Sequence, residues 1–202
     1  ELSDTTGESS IEDSWILADS LFSPGYIGGF SAIKHWDFSE QLFETTFFLT
    51  TKKVNKRQLV VGHTRFHLKT IKEYKLFGTK TVWRGNKKIL ISDPTKTIVD
   101  ILDDPTLVGG MRIVQDVFSE YNSSTFFDME KLIRYTEKMK NKTIFKRLAF
   151  LMETMGLSKM VEDYNLLYKI SKGYSLFDPS TTNTKTISKW KLKIPPSWIK
   201  ND

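Results

Sequence analysis

The chain has no cysteine, which excludes disulfides, thiolate metal sites and cysteine nucleophiles together. Chemistry would have to come from serine, carboxylates, lysine or the three histidines, His35, His63 and His67. Serines are frequent, but no Gly-x-Ser-x-Gly elbow presents one as a nucleophile. His63 and His67 stand four apart in a stretch of strand character. Strand rise separates such residues by about 13 Å, too far to share one ion. Pro24 to Ser31 (PGYIGGFS) sets glycines ahead of a helix start, a geometry able to receive an anion. The lysine and hydroxyl of a Walker loop are missing there. Val108-Gly109-Gly110 repeats the idea more weakly, and tight turns account for both. Glu73-Tyr74-Lys75 has the acid-x-lysine half of a metal-dependent nuclease, with no aspartate before it at strand spacing. Asp93, Asp100, Asp103 and Asp104 gather around one helix, which Asp93 is placed to cap. The residues therefore predict no catalytic constellation, no metal site and no cofactor.

Composition sets the frame for these side chains. The 202 residues are 39% hydrophobic and 13% aromatic, enough to bury the core of one domain. No apolar run approaches the ~18 residues of a membrane span, and no basic-then-apolar leader opens the chain. The expectation is a soluble, cytoplasmic protein without a membrane partner. The net charge of +6 is unevenly spread. Residues 1–50 carry nine acids and one base, whereas 52–88 carry twelve bases and one acid. This block, with Lys52, Lys53, Lys56, Arg57, Arg65 and Lys69, is a candidate surface for nucleic acid or an acidic partner. Lysine outnumbers arginine 24 to 6, which disfavours bidentate phosphate clamps and base readout. A solvated sheet face is the plain alternative.

Hydrophobic period predicts the elements. Residues 1–13 read as a flexible lead-in. Trp15 to Phe22 suits a short helix, Pro24 to Gly29 a break, and Ser31 to Trp36 a second helix. Thr45 to Thr51 is a strand by β-branched and aromatic content. Gln58 to Gly62 and Thr64 to Ile71 form a hairpin. Thr81 to Arg84 and Lys88 to Ser92 form another, turned at Gly85-Asn86. From Asp93-Pro94 the period becomes helical. Helices are expected over Ile98 to Leu102, after Gly109-Gly110, after Asp128, over Thr143 to Met155 and around Met160 to Tyr168. Ile187 to Ile194 alternates as a final strand. The order predicts an α+β fold, with a mostly antiparallel sheet of five to seven short strands and a helix-rich C-terminal half.

A colinear set of motifs adds to this reading. WILADSLFSPGYIGGFSAIKHWDFSEQLFETTFFLTTKKVNKRQLVVGHTRF starts at Trp15. KLFG (Lys75 to Gly78), ISDPTKTIVDILDDP (Ile91 to Pro105), Val108-Gly109-Gly110 and IFKRLAFLMETMG (Ile144 to Gly156) follow. LFDP (Leu176 to Pro179) and the closing KWKLKI complete it. In that order they resemble the C-terminal domain of AbiEi-family antitoxins, described as predicted transcriptional regulators of viral defence systems. The resemblance covers about residues 14–194. It implies a non-enzymatic antitoxin of a type IV toxin–antitoxin, abortive-infection system. Such a protein neutralises a nucleotidyltransferase-like toxin encoded beside it, directly or indirectly, and represses their shared operon. Dimer contacts could reside in this domain. Operator DNA is read in that family by a winged helix preceding this region. No helix-turn-helix stands ahead of Trp15, so promoter reading is not expected of these residues alone. The motif residues expected to form a functional surface are Tyr26, Gly28, Gly29, Ser31, Ser92, Asp93, Lys96, Thr97, Asp100, Lys146 and Arg147. Fold maintenance also accounts for most of them, as glycine turns, a helix cap and an i,i+4 pair of Lys96 with Asp100. The alternative function is a stand-alone nucleic-acid-binding domain using the basic sheet face.

Overall fold

A computed structural model describes residues 13–41 and 44–199, so the expected lead-in lies outside it except for Asp13. The fold is α+β. Its main sheet has the order β3 (Gln58–Val61), β4 (Thr64–Thr70), β2 (Thr46–Thr50), β1 (Gly25–Ile27), β6 (Lys87–Ser92) and β5 (Thr79–Arg84). Both expected hairpins form, β3 with β4 and β5 with β6. The sheet is mixed, because β2 runs parallel to β4 and β1 parallel to β6.

Alternation along the strands creates two apolar faces. Phe48, Phe66, Leu68, Ile89 and Ile91 pack together on one face under helix α1 (Ser14–Phe22). Tyr26, Leu49 and Ile71 cluster separately. Phe47 joins the helical core with Phe30 and Ile33 of α2 (Gly29–His35).

The sequence reading made Pro24 to Gly29 a break, but three of its residues form β1 in the middle of the sheet. The glycines serve close packing. A Cβ on Gly25 would lie 2.3 Å from the Leu49 carbonyl oxygen, and one on Gly28 would lie 2.6 Å from Leu49 Cδ1.

The helical half is organised by α3 (Pro94–Asp103). Every residue from Pro94 to Leu102 is buried, because the helix packs against α2, β6, α4 (Met111–Ser123), α5 (Met129–Lys138) and α6 (Thr143–Thr154). Two expected elements are divided. The helix expected around Met160 to Tyr168 is α7 (Ser158–Asp163) and α8 (Leu166–Lys169), parted at Asn165, whose φ of 50° cannot continue a right-handed helix. The strand expected over Ile187 to Ile194 is β8 (Lys185–Ile187) and β9 (Leu192–Ile194), folded back with Lys191 at φ 51°. With β7 (Ser175–Leu176) these form a small second sheet. Among the described residues no helix is long and apolar enough to cross a membrane.

Candidate functional site

Two features stand out: a buried polar hub around α3 and a lysine-rich loop between β2 and β3.

The hub starts at the helix cap. Asp93 Oδ1 accepts from the Lys96 backbone N–H at 2.8 Å, as its position before proline predicts. Its other oxygen accepts from Tyr135 Oη at 2.9 Å and pairs with Lys131 at 3.0 Å. Thr97 Oγ1 lies 2.8 Å from Ser92 Oγ and bonds to the Asp93 carbonyl at 2.9 Å. One turn on, Lys96 and Asp100 form the expected i,i+4 pair, but both are buried, at 0% and 2% side-chain exposure. Tyr26 Oη donates to Asp100 Oδ2 at 2.9 Å and accepts from Lys96 Nζ at 2.8 Å. The ammonium also lies 5.0 Å from the Phe77 ring centre. Burial lowers the Lys96 pKa, with Asp100 opposing the shift. Burial and the neighbouring Asp100 raise the Tyr26 phenol well above its ordinary value.

The C-terminal end of α3 is equally committed. Asp103 takes Lys75 at 2.7 Å, Lys69 at 3.8 Å and the Asn141 amide at 2.8 Å. Lys69 also meets Asp104 at 3.0 Å. Burial pushes both carboxyls up, but Lys69 and the hydrogen bonds outweigh it and hold them below the usual range. Arg147 on α6 donates Nη1 to the carbonyls of Leu102 (2.8 Å) and Asp103 (3.0 Å). Its Nε and Nη2 reach Phe177 (2.9 Å) and Leu176 (3.0 Å). It thereby satisfies free carbonyls at the end of α3. Lys146 bonds to the Gly173 carbonyl and, at 3.1 Å, to Ser175.

The motif residues expected to form a surface are therefore brought together, but mostly inside the protein. Tyr26, Gly28, Gly29, Ser92, Asp93, Lys96, Thr97, Asp100, Lys146 and Arg147 are all buried. The physical reason is that α3 is enclosed on every side, so its polar side chains must bond internally. Only Ser31 is half-exposed. It accepts from the Phe47 N–H at 2.9 Å and lines a cleft with Lys34, Glu44 and Arg84. The glycines ahead of α2 pack against Leu49 and Phe47. Lys75 of the acid-x-lysine motif sits in a 3-10 turn and is spent on Asp103. His63 is exposed in the β3–β4 turn, while His67 stacks on Phe47 at 4.8 Å. Among the described residues no group of His, Asp and Glu could hold a metal ion.

Sequence reasoning missed Asp178. It lies in the quoted LFDP motif, yet nothing local shows that its Oδ2 accepts from the Met111 N–H at 2.8 Å.

The candidate cations divide. Lys52, Lys53, Lys56 and Arg57 are exposed, and none has an acidic partner among the described residues. Arg65 makes only a 3.9 Å contact with exposed Glu44. Lys69 departs from the expected open surface, because its ammonium is held by Asp103 and Asp104 with 18% of the side chain exposed.

The loop carrying these cations is pinned by its backbone. Thr70 Oγ1 donates to the Lys52 carbonyl at 3.1 Å and accepts from the Val54 N–H at 3.0 Å. The Leu68 N–H donates to the Arg57 carbonyl at 2.6 Å. The loop thus presents its exposed cations from a held backbone. Compared with known proteins, the chain matches no protein-family model and none of the curated proteins.

Proposed function

We propose that this chain is a non-catalytic regulatory module of the AbiEi antitoxin type. In this reading it neutralises a nucleotidyltransferase-like toxin and supports repression of the shared operon. The observation that carries the reading is the division of its polar residues. Those of the shared motifs are consumed in holding α3 and its neighbours, while Lys52, Lys53, Lys56 and Arg57 are exposed and have no acidic partner among the described residues. A scaffold of this kind fits recognition better than turnover. Operator reading would need the winged helix of the family, and a homodimer is compatible with the same role.

Growth rescue tests it: the gene next to this one is expressed with and without the chain. Restored growth supports neutralisation by this domain. A toxic neighbour that the chain fails to silence, or a harmless neighbour, removes the reading.

The same four cations favour a second reading, a nucleic-acid-binding domain. It requires a steep salt dependence: neutralising ~6 phosphates gives a log–log slope near −5. A flat response in a DNA titration removes it.

A further inference from the structure

The exposed lysines of the loop border an apolar groove. Its floor is Leu21 and Phe22 from the end of α1, Val54 from the loop, Leu59 from β3 and Leu68 from β4. Its rim is Lys52, Lys53 and Lys56, and among the described residues no carboxylate lines it. The volume is about 390 Å³, at the lower end of the ~300–1,000 Å³ typical of ligand clefts. That suits a few anchoring side chains rather than a whole domain face. The walls are held in place. Thr50 Oγ1 donates to the Phe22 carbonyl at 2.6 Å, tying the end of α1 to β2, and Thr70 pins the loop. Leu21 is 43% exposed.

A phosphate backbone gains nothing from an aliphatic floor, and successive bases need a row of aromatic faces, whereas the one ring among the groove's described lining, Phe22, is half-buried and packed against Phe66 at 5.3 Å and Phe48 at 6.2 Å. Apolar anchors on one side of a helix, with carboxylates along its flanks, match both the floor and the rim. We propose that this groove docks an acidic amphipathic helix of a partner protein. The proposal rests on the reading of the chain as a protein-binding regulator, and it names the surface and the partner's chemistry.

The test uses the full chain and a short fluorescein-labelled peptide with leucines at i, i+3, i+4 and i+7 and glutamates elsewhere. A lysine-for-glutamate version and a labelled oligothymidine are the controls, all read by anisotropy. The acidic peptide is expected to bind, and more weakly as salt rises. K52E/K53E/K56E and, separately, L21D are each expected to weaken it at least about tenfold while melting like the parent chain. The proposal is overturned by no binding, by equal binding of the lysine peptide, or by insensitivity to these variants. Tighter capture of oligothymidine through the same lysines would assign the surface to nucleic acid instead. Binding seen only after removal of residues 1–12 would assign the groove to the chain's own acidic segment. Growth rescue keeps the two claims separate. Peptide binding without rescue leaves the groove and removes the antitoxin reading, and rescue without peptide binding does the reverse.

Discussion

Asp178 caps a helix that starts 67 residues before it: its Oδ2 accepts the Met111 N–H at 2.8 Å. The residue at the usual cap position is Gly110, with φ 115° and no side chain to offer. A Cβ there would meet the same carboxylate at 2.8 Å. The VGG and LFDP motifs are thus two halves of one contact. Asp178→Ala is expected to lower stability by about 1–2 kcal/mol, as loss of a helix cap does. Asp178→Asn, which keeps an acceptor, should lose less. Urea unfolding midpoints decide between them.

The buried triad of Lys96, Asp100 and Tyr26 predicts strong non-additivity. Lys96→Met strands a buried carboxylate and should cost about 3–5 kcal/mol. The double variant K96M/D100L removes both charges and should recover much of that loss. Tyr26→Phe removes one neutral partner and should cost about 1–2 kcal/mol. A thermodynamic cycle with additive losses would contradict the pairing.

Arg147 bonds four carbonyls with one planar group. Lysine has the charge but not the fork. Arg147→Lys is therefore expected to destabilise the fold by about 2–3 kcal/mol. Chemical denaturation with an unchanged slope is the readout.

Acid should weaken the protein in two windows. Burial, reinforced by Arg57 at His67 and by Arg84 at His35, lowers both imidazoles below their ordinary pKa. The unfolded chain therefore takes up these protons first, and stability falls as pH drops below about 6.5. Asp103 and Asp104 are held below the usual carboxylate range despite burial, chiefly by Lys69. Their contribution is present above about pH 4 and is lost as pH falls through their folded values. H35F/H67F should erase the upper window and leave the lower one, measured as unfolding midpoint against pH.

The loop charges should be separable from the fold. Lys52, Lys53 and Lys56 are exposed and have no acidic partner among the described residues, so each change to glutamate should move stability by no more than about 0.5 kcal/mol. A large drop in melting temperature would show that the loop carries structural weight.

Much of the architecture was legible before the structure. Periods of two and 3.6 located the hairpins, α3, α4 and α6, and Asp93-Pro94 marked a start that the cap hydrogen bond bears out. The misreadings have two causes. β1 is three residues that begin with Gly25 and are followed by Gly28, and its strand character comes from neighbours that pair with it, not from its own propensity. Asn165 and Lys191 adopt left-handed backbone that their residue types announce only weakly.

The chain by itself determined the absence of thiol chemistry, the clustering of basic charge in 52–88 and the α+β order of elements. These are properties of residue types and local spacing, which need no partner to exist. Tertiary structure alone decided which charges are spent and which are free. Lys69 and Lys52 look alike in the sequence, yet one faces Asp103 and Asp104 across the fold and the other faces solvent. Whether a charge is paired depends on residues far away along the chain, and only the packing of α3 between sheet and helices brings those together.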